Sequence, residues 1–169
     1  MSLLIVFAGL PGTGKSTIAE RAAERLKAVY LRIDTIEQAI RVSDALPPGA
    51  GIGCAGYSAA YRLAADNLRL GHKVIADSVN PLKVTRDAYK DVAERSGARL
   101  LDVEIVCSDK ARHRERVESR QATVAGLILP RWEEVEAREY QPWDRPCLRI
   151  DTALLSIEEC VERVVTAAI

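Results

Sequence analysis

The chain has 169 residues, 48% hydrophobic and 28% charged, with Lys plus Arg equal to Asp plus Glu at 24 each. That length fits one domain with a core of useful size, and the composition argues against disorder. A formal net charge of zero removes any general pull toward nucleic acid or an anionic membrane, so anion binding has to come from local clustering.

The longest apolar run, from Leu3 to Leu10, is too short to cross a bilayer. No basic residue precedes it as in a signal peptide, so it reads as a buried strand. Cys54, Cys107, Cys147 and Cys160 form no CxxC pair, and His72 and His113 stand alone. This pattern fits reduced thiols in a cytoplasmic protein better than a disulfide framework or a zinc site.

In chain order the elements alternate. Leu3 to Ala8 is a continuous apolar run ending in a glycine turn, as expected of a strand buried on both faces. Ser16 to Lys27 has a helical period through Ile18, Ala19, Ala22, Ala23 and Leu26. Val29 to Ile33 reads as a short strand and Thr35 to Ile40 as a helix. Pro47, Pro48 and four glycines make Leu46 to Gly56 a loop. Tyr57 to Leu70 is helical and is stopped by Gly71.

Lys73 to Ala76 is the third strand. Asn80 and Pro81 are expected as the cap and first turn of a helix ending near Gly97. Leu100 to Cys107 is the fourth strand. Asp109 caps an arginine-rich helix to about Arg120, and 126–130 breaks the pattern. Trp132 to Tyr140 is expected to be helical and Cys147 to Ile150 to be a fifth strand. Ser156 with Glu159 forms a capping box for the last helix. Strands alternating with helices imply a parallel sheet with crossover helices on both faces. One three-layer α/β domain, residues 1–169, accounts for the chain.

Gly9-Leu10-Pro11-Gly12-Thr13-Gly14-Lys15-Ser16 matches G-x-x-x-x-G-K-[ST] between an apolar strand and an amphipathic helix. In such a P-loop the glycines let the backbone turn and present its amides to phosphate oxygens, and the helix N-terminus adds its dipole. The cradle is therefore expected from Gly9, Gly12, Thr13, Gly14, Lys15, Ser16 and Thr17. Lys15 reaches the β- and γ-phosphates, and the Ser16 hydroxyl suits Mg²⁺.

Asp34 and Asp77 follow the second and third strands, at the sheet edge where ligands collect in open parallel sheets. Two carboxylates there serve a kinase, one near Mg²⁺ and one accepting the proton of the attacking hydroxyl. Either could instead be a helix N-cap. Arg112, Arg116 and Arg120 repeat every four residues, a stripe suited to a polyphosphate or to a plain solvated face. Tyr57, Tyr61, Tyr140 and Trp143 read as packing before they read as pocket.

Together, GLPGTGKST after its strand, Asp34, the VIADSVN segment and the paired arginines resemble the small P-loop kinases. The nearest group contains kinases related to polynucleotide 5′-kinase, zeta-toxin-like kinases, gluconate kinase and chloramphenicol phosphotransferase. The resemblance implies a five-stranded parallel sheet of order 2-3-1-4-5, ATP with Mg²⁺, and a helical lid over about 109–140. It gives Lys15 and Ser16 the phosphates and metal, Asp34 the acceptor hydroxyl, and Asp77 a place near metal and acceptor. Arg116 and Arg120 fall on the triphosphate. Asn80 and Arg86, after the third strand, are further candidates for the acceptor side.

Those families often read D-x-x-R after the second strand, the Arg gripping an acceptor phosphate. Here Asp34 is followed by Glu37, which points to a neutral or cationic hydroxyl acceptor, the alternative being that Arg86 serves an acceptor anion instead. The expected activity is ATP-dependent phosphotransfer to a small molecule, with no membrane or nucleic-acid partner. A GTPase switch is opposed by the lack of N-K-x-D. A regulatory or assembly ATPase with no acceptor of its own is the alternative.

Overall fold

The computed structural model describes residues 2–43, 47 and 49–169. Leu46 and Pro48, at the start of the expected glycine-rich loop, lie outside the described residues.

Five strands form one parallel sheet: β1 (Leu3–Ala8), β2 (Val29–Arg32), β3 (Lys73–Asp77), β4 (Arg99–Val106) and β5 (Leu148–Asp151). Their spatial order is β2-β3-β1-β4-β5, as expected. β1 is central because it is apolar at every position, and all six of its residues are buried. Its successive side chains feed opposite layers. Leu3, Ile5 and Phe7 pack with Ile75, Val103 and Ile150 beneath α1 (Lys15–Leu26) and α7 (Ile157–Ala168). Leu4 and Val6 pack with Val74 and Ala76 beneath α3 (Ala55–Arg69) and α4 (Lys83–Arg95). Alanines on the sheet-facing sides of α1 and α3, among them Ala19, Ala22, Ala60 and Ala64, are fully buried and let these helices lie close to the strands.

The remaining helices gather at the carboxyl edge. They are α2 (Ile33–Val42), α5 (Lys110–Ser119) and the short α6 (Trp132–Glu136). The chain leaves β1 toward β2 and β3 on one side and later fills β4 and β5 on the other. The crevice at that switch point is where an open α/β sheet binds ligands.

Several boundaries move for local reasons. Ile33 starts α2 and does not end β2, so Asp34 lies in the first turn of a helix whose N-cap is Arg32. The helix expected from Asn80 begins at Lys83, with Leu82 as its cap. Asn80 instead adopts a left-handed backbone, φ 46, a conformation Asn tolerates. Its amide donates to Tyr57 Oη at 3.1 Å, and its Oδ1 accepts from Thr85 Oγ1 at 2.7 Å. The helix expected over Trp132 to Tyr140 stops at Glu136. The Ser156–Glu159 and Asp109 caps are present as expected.

Arg86 is 1% exposed. It donates to the carbonyls of Asn80 (3.0 Å), Pro142 (3.2 Å) and Pro81 (3.2 Å). Its guanidinium also lies 4.2 Å from the Trp143 ring centroid and 5.0 Å from that of Tyr140. It thereby ties the turn after β3 to the segment before β5, with Tyr140 and Trp143 as walls of its cage. Truncating it strands the Asn80 and Pro142 carbonyls and opens a void. Arg86→Ala should therefore lose about 3 kcal/mol or more of unfolding free energy, read from the urea midpoint. A shift under about 0.5 kcal/mol, typical of surface changes, would contradict this role.

Candidate active site

The turn after β1 is held from several sides, and two of its amides, those of Gly9 and Thr13, are already used within the protein. The Gly9 amide donates to Val79 O at 3.1 Å. Thr13 Oγ1 donates to Leu10 O at 2.9 Å, and the Thr13 carbonyl accepts from Thr152 Oγ1 at 2.8 Å. Gly12 has φ +84, and a methyl group there would run into Val117 Cγ2. Only glycine satisfies both conditions. Gly14 caps α1 without any side-chain cap, so the first-turn amides remain available to an anion.

Lys15 opens α1, and its Nζ lies 2.5 Å from Asp77 Oδ1 and 3.5 Å from Ser16 Oγ. Asp77 ends β3 and is 1% exposed. Tyr30, from β2, donates to its other oxygen at 2.7 Å. Burial pushes the Asp77 carboxyl up, but the Lys15 charge and the hydrogen bonds from Lys15, Tyr30 and Ser16 outweigh it and hold the group below its usual value. The same burial and the neighbouring Asp77 charge push the Tyr30 phenol far up, so it stays a donor.

Among the described residues no cluster of three or more His, Cys, Asp or Glu is arranged to hold a metal. Ser16 Oγ and the Asp77 carboxylate are hard oxygen donors. They fit Mg²⁺, which takes few protein ligands and completes its shell with phosphate and water.

A cleft of about 580 Å³ opens above this floor. Gly12, Gly14, Lys15, Ser16, Asp34, Arg116 and Arg120 all line it, so one space gathers most of the residues the sequence singles out. Gly9 and Thr13 lie behind the lining as supports of the turn, and Thr17 is exposed elsewhere. Asp77 sits beneath Lys15. Asn80 is fully buried and Arg86 is caged; both are outside the lining. The structure gives these two the work of holding the turn after β3. Neither Asp34 nor Asp77 is a helix cap.

The cleft also contains residues not picked out as site residues from sequence: Arg32, Glu37, Arg41, Thr123 and Arg138. Asp34 lies 3.8 Å from Arg32 and is about half exposed. Burial raises the Glu37 carboxyl, with Arg41 lowering it and Asp34 raising it.

The arginine stripe divides. Arg112 donates to Ala153 O at 2.9 Å and faces away from the cleft. Arg116 reaches Thr152 Oγ1 at 2.8 Å and its carbonyl at 3.2 Å. Arg120 is the C-cap of α5, outside the helix, and its Nε and one terminal nitrogen are buried without a partner.

Within the expected lid region, α5 is docked on the phosphate turn. His113 Nε2 donates to Pro11 O at 2.9 Å, and Val117 packs with Trp132, Val135 and Leu10. The cover over the cleft is supplied by 119–130. Thr123 Oγ1 there accepts from Arg32 at 2.9 Å.

A nucleotide-sized cleft at the switch point, a P-loop at its floor and a buried carboxylate beneath the lysine define a P-loop NTPase domain with a kinase-like fold. The family model described as "AAA domain" matches residues 4–138, and the chain belongs to that family. Solved structures repeat the fold over essentially the whole chain. A proposed kinase from Chloroflexus aurantiacus J-10-fl is 22% identical, with a TM-score of 0.77, covering 99% of this chain and 98% of that one. Kti12 from Chaetomium thermophilum, in complex with ADP-AlF3, is 21% identical, with a TM-score of 0.72 over 98% and 99%. The Mycobacterium tuberculosis APS kinase CysC, in complex with AMPPNP and APS, is 18% identical, with a TM-score of 0.66 over 98% and 96%. No curated protein sequence is a match. Among the described residues no helix is long and apolar enough to cross a membrane.

The Lys15–Asp77 pair has a pH signature. A carboxyl whose folded value lies below its unfolded value contributes stability that is fully present above the unfolded value. That contribution is lost as pH falls through the folded one. For Asp77 the window therefore lies below 3.8, its ordinary value. Asp77→Asn should be less stable than wild type near neutrality, since Lys15 is left buried and unpaired. The difference should shrink on acidification toward about pH 2. Denaturant midpoints across that range check this; a pH-independent gap would contradict it.

Proposed function

We propose that this domain is an ATP- and Mg²⁺-dependent phosphotransferase that moves the γ-phosphoryl group onto a hydroxyl of a small molecule. The observation that carries the reading is the convergence of Lys15, Ser16, Asp34, Arg116 and Arg120 on one cleft. A bare nucleotide-binding module has no need of a carboxylate facing the phosphate site across open space. Kinases among the structures of the same fold add support.

In this reading the amides of the phosphate turn and Lys15 hold the triphosphate, and Ser16 with Asp77 would hold Mg²⁺. The metal supplies charge neutralisation at the phosphates. Asp34 accepts the acceptor's hydroxyl proton as its oxygen bonds to the γ-phosphorus and the bond to the β,γ-bridging oxygen breaks. Lys15, Arg116 and Arg120 stabilise the charge that develops on the transferred group and on the departing ADP. To do so Arg116 exchanges its Thr152 contacts for phosphate oxygens. The cover at 119–130 excludes water, which limits hydrolysis.

A second reading, nucleotide hydrolysis without an acceptor, draws on the likeness to Kti12 and its ADP-AlF3 complex. Whether turnover depends on an acceptor separates the two. A screen of ATP consumption against hydroxyl-bearing metabolites, aminoglycoside-like compounds and nucleosides should find one that raises turnover well above the basal rate.

Lys15→Ala should abolish nucleotide-dependent turnover in a folded protein. Asp34→Asn should leave ATP affinity nearly unchanged and slow acceptor phosphorylation by about 10²-fold or more, the scale of a lost general base. If ATP affinity falls as steeply as turnover, Asp34 belongs to the metal and the base role passes to Asp77.

A further inference from the structure

The charge in the cleft is lopsided. Its lining carries Lys15, Arg32, Arg41, Arg116, Arg120 and Arg138 against only Asp34 and Glu37. Lys15 and Arg116 belong to the phosphate turn, the first through Asp77 and the second through Thr152, whose hydroxyl bonds the Thr13 carbonyl. The other four arginines lie toward Asp34. Arg32 is 3.8 Å from it. Arg120 feels the charges of both Asp34 and Arg138, and Glu37 feels those of Asp34 and Arg41. Arg32, Arg41, Arg120 and Arg138 thus share the cleft lining with Asp34 and Glu37.

These arginines are short of partners. Among the described residues Arg41, Arg120 and Arg138 make no ion pair within 4.0 Å and no side-chain hydrogen bond. Arg32 Nε, together with the two Arg120 nitrogens, is buried without an acceptor. A buried guanidinium N–H left unsatisfied costs free energy that an incoming oxygen recovers. If Arg120 is given to the triphosphate, Arg32, Arg41 and Arg138 still face only two carboxylates. One of these, Asp34, must remain available as a base.

We propose that the acceptor carries an anionic group, a carboxylate, sulfate or phosphate, besides the hydroxyl that is phosphorylated, and that Arg32, Arg41 and Arg138 receive it. The inference rests on reading the cleft as a kinase site and reverses the expectation drawn from Glu37. α2 sets Arg41 one helical turn beyond Glu37, so the cation absent from that turn is supplied by the next. Arg138 reaches the same space from beyond α6. Glu37 then offers an acceptor for a second hydroxyl or an amine.

The test is calorimetric titration with sodium sulfate at constant ionic strength, on nucleotide-free protein and on protein saturated with AMPPNP and Mg²⁺. Nucleotide-free protein should show two sulfate sites, one removed by Lys15→Ala. The other should weaken at least tenfold in each of Arg32→Gln, Arg41→Gln and Arg138→Gln. Arg41 and Arg138 are solvent-exposed, so their variants should fold as wild type, which circular dichroism checks. AMPPNP with Mg²⁺ should displace sulfate from the first site and leave the second. A single sulfate site sensitive only to Lys15, or a second one indifferent to all three arginines, overturns the proposal. Failure of AMPPNP to bind, with the arginine-dependent site intact, would instead sink the nucleotide reading and leave the anion subsite standing.

Discussion

A buried lysine has to be answered by a buried carboxylate, and that requirement organises this molecule. Lys15 stands at the first position of α1, at the end of the phosphate turn. Asp77 meets it from the last position of β3, and Tyr30 holds the second Asp77 oxygen from β2. The contact is possible only because β3 lies beside β1 in parallel register, with Phe7 opposite Asp77. Three strands are thus locked at their carboxyl ends, and the lysine is aimed before any phosphate arrives. Breaking a buried pair costs far more than replacing both partners.

The fold was legible because its signals are local. An all-apolar β1, the glycine turn and the strand–helix alternation imply a parallel sheet without reference to any distant residue, and the strand order followed from the resemblance. That residues near the phosphate turn would gather in one cleft was legible for the same reason. Asn80 and Arg86 were not. Asn80 next to Pro81 has the look of a helix cap, and only the Tyr57 hydroxyl and the Arg86 side chain turn it into a buried left-handed corner. Arg86 looked like a free cation because its partners are backbone carbonyls and the rings of Tyr140 and Trp143, more than fifty residues away in sequence.

His113 gives a subtler case. In a helix made largely of charged residues, His113 and Val117 are spaced i, i+4 and form its buried pair. That pairing was present in the sequence as a faint apolar stripe, but arginines on the other faces drew the attention. Arg41 and Arg138 needed the third dimension. One is a turn beyond an acidic residue, and the other comes from a segment whose helix ends early. Their charges matter only because both face the same cleft as Asp34.

The docking of α5 has an evolutionary consequence. Because His113 and Val117 fasten that helix to Pro11 and Gly12, the phosphate cradle is buttressed from outside as well as from within. The ten or so residues that follow then form a replaceable module. They can lengthen, shorten or change chemistry without disturbing the cradle, provided the helix before them keeps its grip. A lineage could change what covers the cleft by rewriting the stretch beyond Arg120, while the phosphate cradle is inherited intact.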